Sequence, residues 1–142
     1  MFVDASVLVA VLARESDGPQ LTERLRGMIP GGTFVSPIVR YEATLAMARV
    51  KAKAAGRTRP TPELLLQARE TVDALLDWLQ AQDVDITSEI GVAALETTGR
   101  YGKIVGHPAA LNFGDCFAYA CAKSLGVALA YKGDDFTHTD LA

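Results

Sequence analysis

The sequence predicts an α/β fold with a parallel sheet packed against helices, and two observations carry that prediction. Short apolar runs of strand character, "MFV", "TFVS", "DVDI" and "VALAY", alternate with longer stretches of helical periodicity. Strands that alternate with helices pair in parallel through right-handed crossovers. The chain has 142 residues, 49% hydrophobic and 22% charged. That is enough to bury the core of one domain spanning 1–142, and too short for two.

The elements follow in order. "MFV" is a first strand ending at Asp4, and 5–13 begins a helix. A second helix runs from Asp17, with Pro19 in its first turn, to about Met28. "PGG" at 30–32 breaks the chain before the strand "TFVS". Ser36 caps and Pro37 opens the helix "PIVRYEATLAMARVKAKA", which Gly56 closes. "RTRPTP" is a linker, after which Thr61 caps and Pro62 opens a helix to about Ala81. "DVDI" reads as a strand and Ser88 to Tyr101 as a helix. A glycine-containing loop then leads to the helix "FGDCFAYACAKSLG", the last strand "VALAY" and the turn "KGDDF".

Several classes are excluded early. "ASVLVAVLA" lacks the basic flank of a signal peptide and is about half the length needed to span a bilayer. A soluble, cytoplasmic protein without a membrane partner is expected. Cys116 and Cys121, five apart on one helix, point to different faces and predict two buried thiols rather than a disulfide. Buried free thiols suit a reducing compartment. The net charge of −3 argues against a protein that coats nucleic acid, but not against an enzyme that holds it near an active site.

The carboxylates are the informative residues. In open α/β sheets ligands sit beyond the carboxyl ends of the strands. Asp4 closes the first strand there, and Asp134 and Asp135 follow the last. Glu42 shares a helical stripe with Ile38, Tyr41, Leu45 and Arg49, where partial burial calls for a partner such as Arg49. Asp115 stands in the first turn of an otherwise apolar helix, after the candidate cap Asn112.

Taken singly, each acid has an ordinary structural use. Asp4 and Asp115 suit helix caps, Glu42 suits an ion pair, and Asp134–Asp135 suits a solvated turn. Together, four distant segments each bring a carboxylate, and clustered carboxylates repel unless a cation neutralises them. Oxygen ligands without a histidine or cysteine cluster select Mg²⁺ or Mn²⁺. Such an ion activates water for phosphodiester hydrolysis or phosphoryl transfer.

These same residues carry a resemblance. "FVDASVLVAVL", "SPIVRYE" and "LNFGDCFAYACAKSLGVALAYKGDDFTHTDL" resemble a PIN-domain ribonuclease, and more closely the VapC toxins of type II toxin–antitoxin systems. The match spans nearly the whole chain. "NFGDCFAYA" and "YKGDDF…TD" are its most specific segments. The resemblance implies a three-layer α/β/α sandwich around a parallel sheet of four to five strands. It also implies a Mg²⁺- or Mn²⁺-dependent endoribonuclease acting on structured RNA, tRNA or ribosomal RNA. Asp4 and Asp115 match the principal metal ligands, Glu42 a third acid, and Ser6 a hydroxyl that orients the first carboxylate. Asp135 is the first choice for the fourth acid and Asp134 the alternative. A homodimer and a VapB-like antitoxin are the implied protein partners. The linker "GRTRPTPE" is longer than a minimal member needs.

The remaining residues divide as follows. "RVKAKAAGRTR" at 49–59 puts five basic residues in eleven, suited to RNA phosphates or to a solvated helix end. Lys132 is a surface lysine within reach of a phosphate. His107 and His138 lack metal-ligand spacing. Trp78 reads as core or dimer-interface packing, and Tyr41 and Tyr119 as packing groups, Tyr119 close to the site. Other classes fit less well. An aspartate-nucleophile phosphatase needs an acid where Ser6 stands, and a receiver-like regulatory domain needs an aspartate that ends a central strand, which neither "TFVS" nor "DVDI" supplies. A non-catalytic acidic-pocket protein predicts no response to Mn²⁺.

Overall fold

The computed structural model describes residues 1–141. Four short strands build the sheet: β1 (Phe2–Val3), β2 (Phe34–Val35), β3 (Gln82–Asp83) and β4 (Leu129–Ala130). All pairings are parallel, in the order β3-β2-β1-β4, with Phe2 opposite both Phe34 and Leu129. The first strand therefore lies inside the sheet, which is why Phe2 and Val3 are wholly buried. The ladder runs one residue past β1, where the Asp4 N–H donates to the Ala130 carbonyl at 2.9 Å.

Six helices flank the sheet: α1 (Ala5–Leu12), α2 (Gly18–Arg26), α3 (Pro37–Ala54), α4 (Pro62–Trp78), α5 (Ser88–Tyr101) and α6 (Phe113–Leu125). A 3₁₀ turn, Lys103–Val105, sits between the last two. Helices α1 to α4 pack on one another, and α5 packs on α6, giving the predicted three-layer α/β/α sandwich. Helices α3 and α4 pack extensively on each other, and the buried Ala43 and Ala48 of α3 and Ala68 of α4 carry only methyl groups. Helix α6 is buried on most sides, from Gly114 to Ala122 with Phe117 as the half-exposed exception.

The caps explain the helix starts. Ser36 and Thr61 accept from Val39 N and Leu64 N, each at 3.3 Å, and each precedes a proline at the first helical position. Two boundaries differ from the sequence expectation. α4 ends at Trp78 rather than near Ala81 because Gln80 adopts a left-handed φ of 51°. The Ala81 N–H then reaches the Leu76 carbonyl at 3.0 Å and closes the helix. The third strand pairs at Gln82–Asp83, one residue earlier than "DVDI", through Gln82 N to the Thr33 carbonyl and Val84 N to the Val35 carbonyl.

Tyr41, expected to pack, is instead 65% exposed, while Trp78 is 44% exposed beneath the Arg26 guanidinium and is not a core residue. Tyr119 is buried, as expected, and its hydroxyl donates to Asp140. Asp140 also accepts from Tyr101 Oη at 3.3 Å and Lys123 Nζ at 2.9 Å, which fastens the C-terminal segment to α5 and α6. Cys116 and Cys121 are free and buried, and burial raises both thiol pKa values. Among the described residues no helix is long and apolar enough to cross a membrane.

Candidate active site

Parallel strands present their carboxyl ends along one edge, and the segments after β1 and β4 meet there. Asp4 is the N-cap of α1, with extended backbone. Its Oδ2 accepts from the Ser6 N–H at 2.9 Å and from Ser6 Oγ at 2.5 Å. Ser6 Oγ in turn accepts from the Lys132 N–H at 3.0 Å. One hydroxyl thus ties the end of β1, the start of α1 and the loop after β4. Capping and lining the site are not alternatives for Asp4: one carboxylate oxygen caps, and the group still borders the cleft.

Asp115 is held by a capping box at the start of α6. Its Oδ2 accepts from Asn112 N at 2.8 Å, while its own N–H donates to Asn112 Oδ1 at 3.1 Å. Both Asp4 and Asp115 are buried, at 6% and 7% exposure. Glu42, on the second turn of α3, leans across to α6. A Cβ on Gly114 would run into both of its carboxylate oxygens. Sequence reasoning passed over Gly114. The available signal was a glycine inside the first turn of an apolar helix, where it costs about 1 kcal/mol against alanine.

The structure brings Asp4, Ser6, Glu42, Asn112, Asp115 and Asp135 into one cleft of about 450 Å³. Asp134 does not line it. Its carbonyl accepts from Thr137 N at 3.0 Å and Thr137 Oγ1 at 2.6 Å, so it shapes the turn that delivers Asp135. Two further expectations are corrected. Arg49 makes no ion pair with Glu42 among the described residues, although both border the same groove. The core face of α3 is instead Val39, Ala43, Met47, Ala48 and Ala52, so the stripe bearing Glu42 is a groove wall. Lys132 is committed to ion pairs with Asp17, at 2.9 Å, and Glu15. His107 accepts from the Ala109 N–H at its Nδ1 and packs edge-on against Tyr101, outside the cleft.

Burial and neighbouring acids raise two pKa values in the cleft. Burial, and then the charges of Asp4 and Asp115, raise the Glu42 pKa to about 7. Burial raises Asp115 to about 6, opposed by the Asn112 N–H and assisted by Asp4 and Asp135. Both shifts mark carboxylates whose charge a nearby cation would stabilise. As placed, no three acidic, histidine or cysteine side chains among the described residues stand closely enough to hold a metal ion. The donor chemistry nevertheless fits a hard divalent cation, because Asp4, Ser6, Glu42, Asn112, Asp115 and Asp135 bring oxygen to the cleft and no histidine or cysteine lines it. Asp4 and Asp115 each engage only one oxygen locally, leaving the other for a ligand.

Comparison with known proteins shows the family and the fold. The PIN domain family model matches residues 1–141. A VapC ribonuclease of Rhizobium meliloti (strain 1021) is 49% identical over 140 residues, covering 99% of this chain and 98% of that protein. Ribonuclease VapC42 of Mycobacterium tuberculosis (strain H37Rv) is 36% identical over 141 residues, covering 99% and 96%. Among solved structures, Mycobacterium tuberculosis VapC20, described as a Sarcin-Ricin loop cleaving toxin, superposes with a TM-score of 0.64 at 18% identity. That match covers 96% of this chain and 92% of the other.

Proposed function

The chain belongs to the PIN-domain family, among its VapC ribonucleases, and we propose that it is a Mg²⁺- or Mn²⁺-dependent endoribonuclease, the toxin of a VapBC-like module. The observation that carries this reading is the convergence of Asp4, Glu42, Asp115 and Asp135 from four separate segments on one cleft. Those four side chains are the metal ligands we assign. A bound divalent ion acidifies water and offsets the charge that develops on a phosphoryl oxygen.

The chain's own residues do the rest. Ser6 and Asn112 fix the carboxylates of Asp4 and Asp115 in place, as outer hydrogen-bond partners do at metal sites. Glu42, facing Asp4 and Asp115 across the cleft, would hold such an ion directly or through a water bound to it. Gly114 leaves room for the Glu42 carboxylate. The cleft is open, which suits a phosphodiester presented in a loop of structured RNA, in tRNA or ribosomal RNA.

The protein partners we assign are a VapB-like antitoxin and a second copy of the chain, in the cytoplasm. Support for a protein contact comes from Val92 and Leu95, 56% and 73% exposed on α5 and lining one apolar cavity with Phe117. Exposed apolar groups of this kind mark interaction surfaces. The test of function is 5′-end mapping of cellular RNA after brief induction, in parallel with Asp115→Asn. New 5′ ends at a defined loop with the parent alone support the reading; the same ends with the variant sink it.

A further inference from the structure

A second groove of about 430 Å³ adjoins the acid cleft, with Glu42 in the lining of both. Ile38, Tyr41 and Leu45 of α3 form one wall, and Phe113 at the start of α6 forms the other. Tyr41 and Phe113 are 65% and 68% exposed, unusual for aromatic groups beside a buried site. Phe113 is braced by Phe117, with ring centroids 4.8 Å apart. Arg49 lies at the far end of the groove. One helical face continues Glu42 through Arg49 to Lys53, about 16 Å along the axis at 1.5 Å per residue.

Beyond Glu42 the charge on that face is of one sign. No acid occurs between Glu42 and Glu63, whereas Arg49, Lys51, Lys53, Arg57 and Arg59 all do. Arg49 and Lys53 are exposed, and neither makes an ion pair among the described residues. In a chain of net charge −3, this is the strip beside the acids that favours a polyanion. Aromatic faces alternating with cations are how proteins hold single-stranded nucleic acid: rings stack on bases and cations follow the backbone.

We propose that the Tyr41–Phe113 groove is a subsite for one unstacked base of the RNA strand, adjoining the scissile phosphate, and that Arg49 and Lys53 carry the backbone onward along α3. The inference rests on the endoribonuclease reading above and adds the direction in which the strand leaves the acids. It also assigns work to the basic stretch 49–59, which the hydrolytic centre does not use.

The test is fluorescence anisotropy with a short fluorescein-labelled single-stranded RNA and with the same strand carrying abasic sites. Asp115→Asn protein serves as the non-cleaving parent. In that background, Tyr41→Ala with Phe113→Ala should weaken binding of the normal strand by about tenfold or more. The same pair should bind normal and abasic strands alike, whereas the parent prefers the normal strand. Arg49→Gln with Lys53→Gln should flatten the slope of log affinity against log salt by about 1.4, two phosphate contacts' worth. All four positions are at the surface, and a thermal melt checks that each variant is folded. If the parent binds RNA and both pairs bind it equally well, the subsite is wrong while the endoribonuclease reading stands. That outcome is also the one expected if the groove serves a protein ligand instead. A parent that binds no RNA overturns both.

Discussion

Removing divalent ions should make this protein less stable as pH rises, the reverse of ordinary acid denaturation. Glu42 and Asp115 have folded-state pKa values raised to about 7 and about 6, from 4.5 and 3.8. Between those values the folded chain binds more protons than the unfolded chain. Stability is therefore fully present below about pH 4 and is lost as pH climbs through 6 to 7. At about 1.4 kcal/mol per unit, the two shifts amount to about 6 kcal/mol at face value. Solvent screening in an open cleft, and coupling between the two groups, reduce this to about 2–3 kcal/mol. For a chain of this size that is a fall in Tm of about 5–10 °C between pH 5 and pH 8.

The assay is a thermal melt followed by circular dichroism in EDTA across that range, on parent and Glu42→Gln protein. The amide cannot ionise, so the difference between the two isolates the cleft from the rest of the chain. The parent should lose more stability than the variant toward pH 8, and Mn²⁺ should restore the parent's loss. Parallel pH profiles for the two proteins would refute the argument that Glu42 lies uncompensated beside Asp4 and Asp115.

Two substitutions test the supports of the site. Gly114→Ala improves helix propensity by about 1 kcal/mol, yet its methyl group displaces the Glu42 carboxylate. Melts should show a folded protein, and RNA cleavage should fall by about 100-fold, as expected for a displaced active-site group. Ser6→Ala removes the hydroxyl that links Asp4 to the Lys132 backbone. Metal affinity, read by calorimetric titration with Mn²⁺, should weaken by about 10- to 100-fold.

Much of this arrangement was legible in the sequence, and the parts that were not have physical reasons. Helix starts were readable because Ser36 and Thr61 are capping residues followed by proline, a strictly local signal. Asp4 and Asp135 were legible because strand ends in a parallel sheet share one edge, and Glu42 and Asp115 because each is an acid on a largely apolar stretch of helix. The end of α4 was not, because Gln80 adopts a left-handed backbone that glycine usually signals. The Glu42–Arg49 pairing failed because helical periodicity places two residues on one face without saying which side chains meet. The same periodicity grouped Tyr41 with the core, whereas the face it marks is a groove wall beside α6. Gly114 shows the complementary case, a position set by a side chain 72 residues away in sequence.

The measurement that bears most directly on a carboxylate-held ion acting on RNA is the single-turnover cleavage rate of a labelled structured RNA as Mn²⁺ is titrated. The account predicts no cleavage in EDTA and a rate that rises and saturates with Mn²⁺. It also predicts a loss of about a thousandfold in folded Asp115→Asn protein, the several kcal/mol that such an ion supplies. Cleavage at the full rate in EDTA, or by the Asp115→Asn protein, would contradict it.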